Sequence, residues 1–151
     1  MLVPAFSGLG SPHWQSDRRA SITGIGFETT KEHIVRAALE SIPYQIKDVI
    51  DAMREDALIC PGIVKADGGI TSNQFVMQLL ADLLERPVET IGMPDVSAMG
   101  AAFMAGLGAG IFKHKELLRS MCQVNYRIDP RQTSGVKDGY ARWRKAISSG
   151  D

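Results

Sequence analysis

Between Ile63 and Ile91 the sequence runs strand, turn, helix, strand. Ile63 to Ala66 make a short extended run, Asp67-Gly68-Gly69 forms a sharp turn, and Ser72 or Asn73 can cap a helix reaching about Leu84. Arg86-Pro87 stops that helix, and Val88 to Ile91 extends again. A helix between two strands lets the second run parallel to the first, with the helix laid across both. Alternation of this kind continues along the chain. It points to an α/β layer architecture with a largely parallel sheet flanked by helices.

Upstream, residues 2–6 read as an apolar strand entering a glycine-rich turn from Ser7 to Pro12, and Ala20 to Ile25 as a second strand. Thr29 and Glu32 have the spacing of a capping box, in which hydroxyl and carboxylate satisfy the first free N–H groups of a helix. In the long helix that follows, Ile34, Ala38, Ile42, Ile46, Val49 and Met53 recur at three and four residues, an amphipathic stripe. Pro43 lies inside it and predicts a kink or a break, because proline removes one hydrogen bond and crowds the preceding turn. Cys60 to Gly62 and Gly92 to Asp95 punctuate the chain. Ser97 opens an Ala/Gly-rich helix ending near Gly108, residues 113–120 and 136–147 read as helices, and 123–128 as extended chain. No repeat or linker divides the sequence, so residues 1–151 are expected to form one domain.

Lys plus Arg and Asp plus Glu each number 17, so the formal net charge is zero. That balance lacks the footprint of a nucleic-acid binder or a basic membrane-surface protein. Arg142, Arg144 and Lys145 are a local exception, read as a solvated helix face. From Asp95 to Lys113 no charge intervenes, and Gly106 to Gly110 spells G-x-x-x-G. The run is shorter than the roughly 20 apolar residues of a membrane span. A buried helix whose small residues let a neighbour approach closely is the expected structure. The N-terminus shows no secretory pattern. Cys60 and Cys122 form no C-x-x-C pair, and His13, His33 and His114 have no metal-ligand spacing, so no metal-binding residue is assigned. Both thiols read as buried or incidental, in a cytoplasmic, reducing setting.

The strand–Asp67-Gly68-Gly69–helix junction is the best candidate for chemistry. Ligands of parallel α/β sheets bind beyond the carboxyl ends of the strands. A glycine pair there lets a flat ligand rest on bare backbone, and the next helix start offers free N–H groups to anions. Asn73 has an amide able to donate and accept toward a base or ribose. Taken alone, the same residues more readily describe a tight turn with a capping Asn. Neither G-x-x-x-x-G-K-[ST] nor G-x-G-x-x-G occurs. Asp17, Arg18 and Arg19 read as a polar loop that could orient an acidic ligand. Glu40 reads as a satisfied or exposed carboxylate, and His13-Trp14 as aromatics packed under a loop or stacked on a ligand. No residue is assigned as a catalytic nucleophile or base.

Several segments occur in a familiar order. Ala20-x-Ile22-x-Gly24-Ile25, followed after seven residues by His33-Ile34-x-x-Ala37-Ala38-Leu39-Glu40, resembles the C-terminal signature of the FGGY carbohydrate-kinase family. Val3 to Trp14, Asp67-Gly68-Gly69 with Asn73, Met77-Gln78 and Ala98-Met99-Gly100-Ala101-Ala102 agree with it, so the resemblance spans residues 2 to 146. The S-G-L-G-S-P-H-W form and the A-D-G-G turn are similar to glycerol kinases. Xylulokinase-like members tend to a G-E-R-x-P loop and a G-G-G-A turn.

The resemblance implies an actin-like ATPase (ribonuclease H-like) domain, incomplete at its N-terminal side. It also implies ATP and Mg²⁺ as cofactors and an adenine nucleotide and a small polyol as partners. Gly69 and Asn73 fall on the family's nucleotide-contacting positions, with Gly68 beside them. The implied reaction is transfer of the ATP γ-phosphoryl group to a primary hydroxyl. A homo-oligomer of the full-length protein stays open. Two family motifs are missing from the sequence, the phosphate-binding D-x-G-T and the G-D-Q segment with the catalytic Asp. The polyol-contacting residues belong to the same missing part. His13 stands where a Tyr is usual, Pro43 where a small residue is usual, and no Trp-containing tail follows Ser148. The chain alone is therefore expected to be inactive. A non-catalytic nucleotide-binding or interaction module, and a sugar-kinase fragment, are the alternatives.

Overall fold

The computed structural model describes residues 1–57, 61–92, 95–131 and 134–148. In order these form β1 (Leu2–Val3), β2 (Ser21–Ile22), α1 (Lys31–Ala57), β3 (Val64–Ala66), a short 3-10 turn at Gly69–Ser72, α2 (Gln74–Leu84), β4 (Val88–Ile91), α3 (Val96–Gly108), α4 (Lys115–Met121), β5 (Val124–Ile128) and α5 (Ser134–Ser148). Cys60, part of the Gly92–Asp95 turn, and the chain beyond Ser148 lie outside the described residues.

The α/β reading holds, and the sheet is mixed rather than largely parallel. β3 and β4 pair parallel, with Val64 opposite Val88, as the single intervening helix α2 requires. β5 then pairs antiparallel to β4, Val88 facing Ile128. Two helices, α3 and α4, separate these strands, and the second traverse reverses the direction of return. β1 and β2 form a separate antiparallel pair, much shorter than the sequence suggests.

α1 runs unbroken through Pro43. The proline is buried beside Ser41 and Tyr44, and packing of that segment offsets the lost backbone bond and the crowded turn, together a cost of about 3 kcal/mol. The helix start is shifted by one residue from the expected box. His33 Nδ1 accepts from the Thr30 N–H at 3.1 Å, an imidazole standing where a carboxylate was expected. Thr29 Oγ1 instead accepts the Gly26 N–H at 3.0 Å. Glu32 is still drawn in: a hydrogen bond from Thr30 holds its carboxyl below the usual range.

The described residues form two apolar cores. In the first, Val76, Met77, Leu80 and Ala81 of α2 press on Val88, with Val64, Ala66 and Ile128 of the sheet and Leu39, Ile42 and Ile46 of α1 around them. In the second, Tyr44, Leu79, Leu83, Trp143 and Ile147 join α1, α2 and α5 to Val3, Ala5 and Leu9 of the N-terminal segment. Trp143 is fully buried, and its indole Nε1–H donates to the Leu2 carbonyl at 2.9 Å. Both cores meet on α2, so this helix and the β3 end that feeds it are held from two sides.

Candidate functional site

β3 ends at Ala66 and hands over to α2 through a corner built almost entirely of backbone. Gly68 has φ +90° and ψ 171°, a region that L side chains rarely adopt. The chain then tightens into the 3-10 turn, where Thr71 Oγ1 donates to the Gly68 carbonyl and Ser72 Oγ to the Gly69 carbonyl, each at 2.8 Å. These side chains fold back on the turn and leave its outer side free. Gly68 and Gly69 are both exposed, and a Cβ built at either meets no atom within 4 Å. The corner is therefore open rather than sealed beneath side chains.

Of the two expected caps, Asn73 is the one used: its Oδ1 accepts the Val76 N–H at 3.2 Å, while Ser72 bonds back to Gly69. The oxygen half of the amide is thus committed to the helix. Its NH₂ takes no hydrogen bond among the described residues, and the side chain is half-buried at the rim of the corner. Gly68, Gly69 and Asn73 therefore share one open corner, with a bare backbone surface and one amide donor. Tyr126 of β5 braces it from behind, its hydroxyl donating to the Thr71 carbonyl. Beside it, Phe75 sits under the Arg36 guanidinium, 5.5 Å from ring centroid to Cζ, and Glu40 holds Arg36 at 2.7 Å. Among the described residues no group of three or more His, Cys, Asp or Glu could hold a metal ion.

The other sequence candidates do different work. Arg18 donates to the Ala146 carbonyl at 3.0 Å and so ties its loop to α5, whereas Arg19 donates to the Ser16, Asp17 and Arg18 carbonyls within the loop itself. Glu40 is a satisfied, partly buried carboxylate. Trp14 is exposed, contrary to the expected packing under a loop; its backbone takes φ 51°, which turns the ring outward while Gln15 pairs with Leu9. Cys122 is exposed, not buried. The Ala/Gly helix is also corrected. α3 buries only Gly106, against the Phe112 ring, because no neighbouring element of the described chain is laid along it.

Sequence reasoning missed Asp48. This buried carboxylate of α1 accepts from His13 Nε2 at 2.7 Å and from the Tyr140 hydroxyl, with Arg144 at 3.7 Å. Burial and the bond to Asp48 push the Tyr140 hydroxyl upward. The spacing Ser41, Tyr44, Asp48 on one face of α1 was the available signal. Arg142 and Lys145 do face solvent, as read from sequence.

Residues 1–109 match the family model described as "FGGY family of carbohydrate kinases, C-terminal domain". The chain belongs to the FGGY family. Its curated relatives include glycerol kinase 2 of Thermotoga maritima, 44% identical over 147 residues that cover 97% of this chain and 30% of that protein. The glycerol kinase of Bacillus subtilis is 41% identical over 149 residues, covering 98% and 30%. Among solved structures, Plasmodium falciparum glycerol kinase with ADP superposes with a TM-score of 0.83 at 34% identity, over 99% of this chain and 30% of that one. The xylulose kinase of Rhodospirillum rubrum, at 24% identity and a TM-score of 0.77 over 99% and 30%, shares the fold alone. The FGGY chain thus has the actin-like ATPase fold. It spans about 30% of the length of the curated relatives it matches. No described helix is long and apolar enough to cross a membrane.

Proposed function

We propose that this chain supplies the nucleotide-facing C-terminal part of an ATP-dependent kinase that phosphorylates glycerol or a related polyol. The observation that carries the reading is the open Gly68–Gly69 corner ahead of the Asn73-capped helix, in a chain similar to glycerol kinases along its length. A flat adenosine end fits such a surface: bare backbone gives van der Waals contact without a Cβ in the way, and the Asn73 NH₂ offers one directed donor to a base or ribose oxygen or nitrogen. ATP supplies the phosphoryl group in this reading. The described residues contain no carboxylate cage, so Mg²⁺, the catalytic base and the polyol contacts would come from sequence outside this chain. The isolated chain is then expected to show no turnover, and a cytoplasmic setting suits a sequence whose two cysteines form no C-x-x-C pair.

Two measurements test this. A radiolabelled-ATP assay on the full-length protein containing this chain, run with glycerol, xylulose and gluconate, is expected to show phosphorylation of glycerol; activity on a sugar alone overturns the polyol assignment. Calorimetry with ADP on the same protein and its Gly69→Val variant is expected to show binding only for the wild type. Equal binding by both proteins removes the corner from the nucleotide site.

A further inference from the structure

Asp48 and His13 also stand at the wall of a cavity that the nucleotide corner does not share. It lies between the Leu9–His13 turn and the middle of α1, has a volume of about 410 Å³, and opens to solvent beside the exposed Gly10 and Ser11. None of Gly68, Gly69 and Asn73 lines it. Leu9, Ile46, Val49 and Ile50 give it apolar walls, and its polar groups are few. The buried Asp48 carboxylate accepts from His13 Nε2 at 2.7 Å and from the Tyr140 hydroxyl. That bond fixes the imidazole and leaves Nδ1 with no partner among the described residues. The Ser11 hydroxyl and the Gln45 amide, also in the lining, have none among the described residues either. Small-molecule sites take this form, a mostly apolar cleft of about 300–1,000 Å³ with a few polar groups set in its wall.

We propose that this cavity is a binding site for a small neutral molecule of the alcohol or phenol class, an apolar body carrying one hydroxyl. The lining selects against ions. His13 and Asp48 are the only titratable groups among the lining residues, and each is spent on the other. An anion would find no lysine or arginine in the wall. A cation would leave water for a carboxylate already satisfied by His13, Tyr140 and, at 3.7 Å, Arg144. A hydroxyl suits what remains. With Nε2–H given to Asp48, a neutral imidazole offers Nδ1 as an acceptor for the ligand O–H, while the Gln45 amide or the Ser11 hydroxyl donates to its oxygen. The apolar body then covers Leu9, Ile46, Val49 and Ile50. A molecule held this way joins the turn to α1 where His13 alone now does so.

The test titrates phenol, toluene and benzoate into the chain, with its histidine rings and isoleucine methyls ¹³C-labelled and followed by NMR. Phenol is expected to shift the His13 ring and the Ile46 and Ile50 methyls saturably, with Ile22 and Ile128 unmoved. Toluene, which has no hydroxyl, should bind at least about tenfold more weakly, because the polar groups of the wall stay unpaired. Benzoate should be as weak. Toluene binding as well as phenol takes the hydrogen bonds out of the site, and benzoate binding better makes it an anion site; either result overturns the proposal. Val49→Trp fills the cavity and keeps His13 and Asp48, so it should weaken phenol at least about tenfold, and unchanged affinity also overturns the proposal. If that variant does not fold, the wild-type map decides, since shifts spread beyond the lining residues refute a single site. The titration is repeated on the full-length protein containing this chain. His13 should respond there as well; a silent His13 means that other sequence fills the cavity, and the proposal fails.

Discussion

Two adjacent glycines at the corner should respond oppositely to the same small change. Gly68 sits at φ +90°, where a non-glycine residue stores about 1–3 kcal/mol of strain. The Ala substitution also reduces the freedom of the unfolded chain, which returns about 0.4–1 kcal/mol. Gly68→Ala should therefore lose about 0.5–2 kcal/mol net. Gly69 has no such φ, and its added Cβ enters open space, so only the unfolded-state term applies and Gly69→Ala should gain about 0.4–1 kcal/mol. The two variants should differ by about 1–3 kcal/mol, or roughly 3–10 °C in Tm for a domain of this size. Thermal and urea unfolding of the chain read the difference. Calorimetry with ADP on the full-length protein then separates fold from ligand: Gly69→Ala, the more stable variant, should bind at least about tenfold more weakly, because its methyl occupies the space a base would use. A Gly69→Ala protein as unstable as Gly68→Ala would show that the corner is closely packed. One that binds ADP like the wild type would show that no ligand touches it.

Other predictions follow from the same contacts. Asn73→Ala should cost about 1 kcal/mol by removing the cap, whereas Asn73→Asp keeps the acceptor and the stability but removes the free NH₂ donor, so it should weaken ADP binding without lowering Tm. Trp143→Phe deletes the bond to the Leu2 carbonyl and part of the core, and should cost about 1–3 kcal/mol by urea unfolding. Burial, then the Glu40 charge, pushes the Tyr44 hydroxyl up to about 12. A folded pKa above the unfolded value of about 10 means that this stability is complete below pH 10 and lost as pH rises toward 12, to an extent of order 2–3 kcal/mol. Urea midpoints from pH 9 to 12 should fall more gently in Tyr44→Phe; because Tyr140 is pushed upward too, the decline should flatten rather than vanish.

Where local chemistry dominates, the sequence was readable. The Asp67-Gly68-Gly69 turn, the Asn73 cap and the parallel β3–β4 pair depend on residues within one short segment, and each stands where spacing and propensity put it. Pro43 does not break its helix because propensity counts a lost hydrogen bond and cannot see the core that buries the ring. Thr29 and Thr30 differ by a single residue, and His33 in the acceptor role was outside the usual box. β5's direction depends on how two helices turn between Ile91 and Val124, a tertiary matter. Asp48 was hidden because its partners His13 and Tyr140 lie 35 and 92 residues away. α3's bareness was hidden for the same reason: an apolar sequence calls for a cover but does not say whether the same chain provides it.

The bond from the Trp143 indole to the Leu2 carbonyl spans 141 residues. During synthesis the first strand therefore emerges long before the side chain that locks it. Until α5 has cleared the ribosome, Val3, Ala5 and Leu9 lack the Trp143 and Ile147 side of their core and the Leu2 carbonyl lacks its indole donor. The second core must wait for α5, and removing α5 from Trp143 onward would release β1 first.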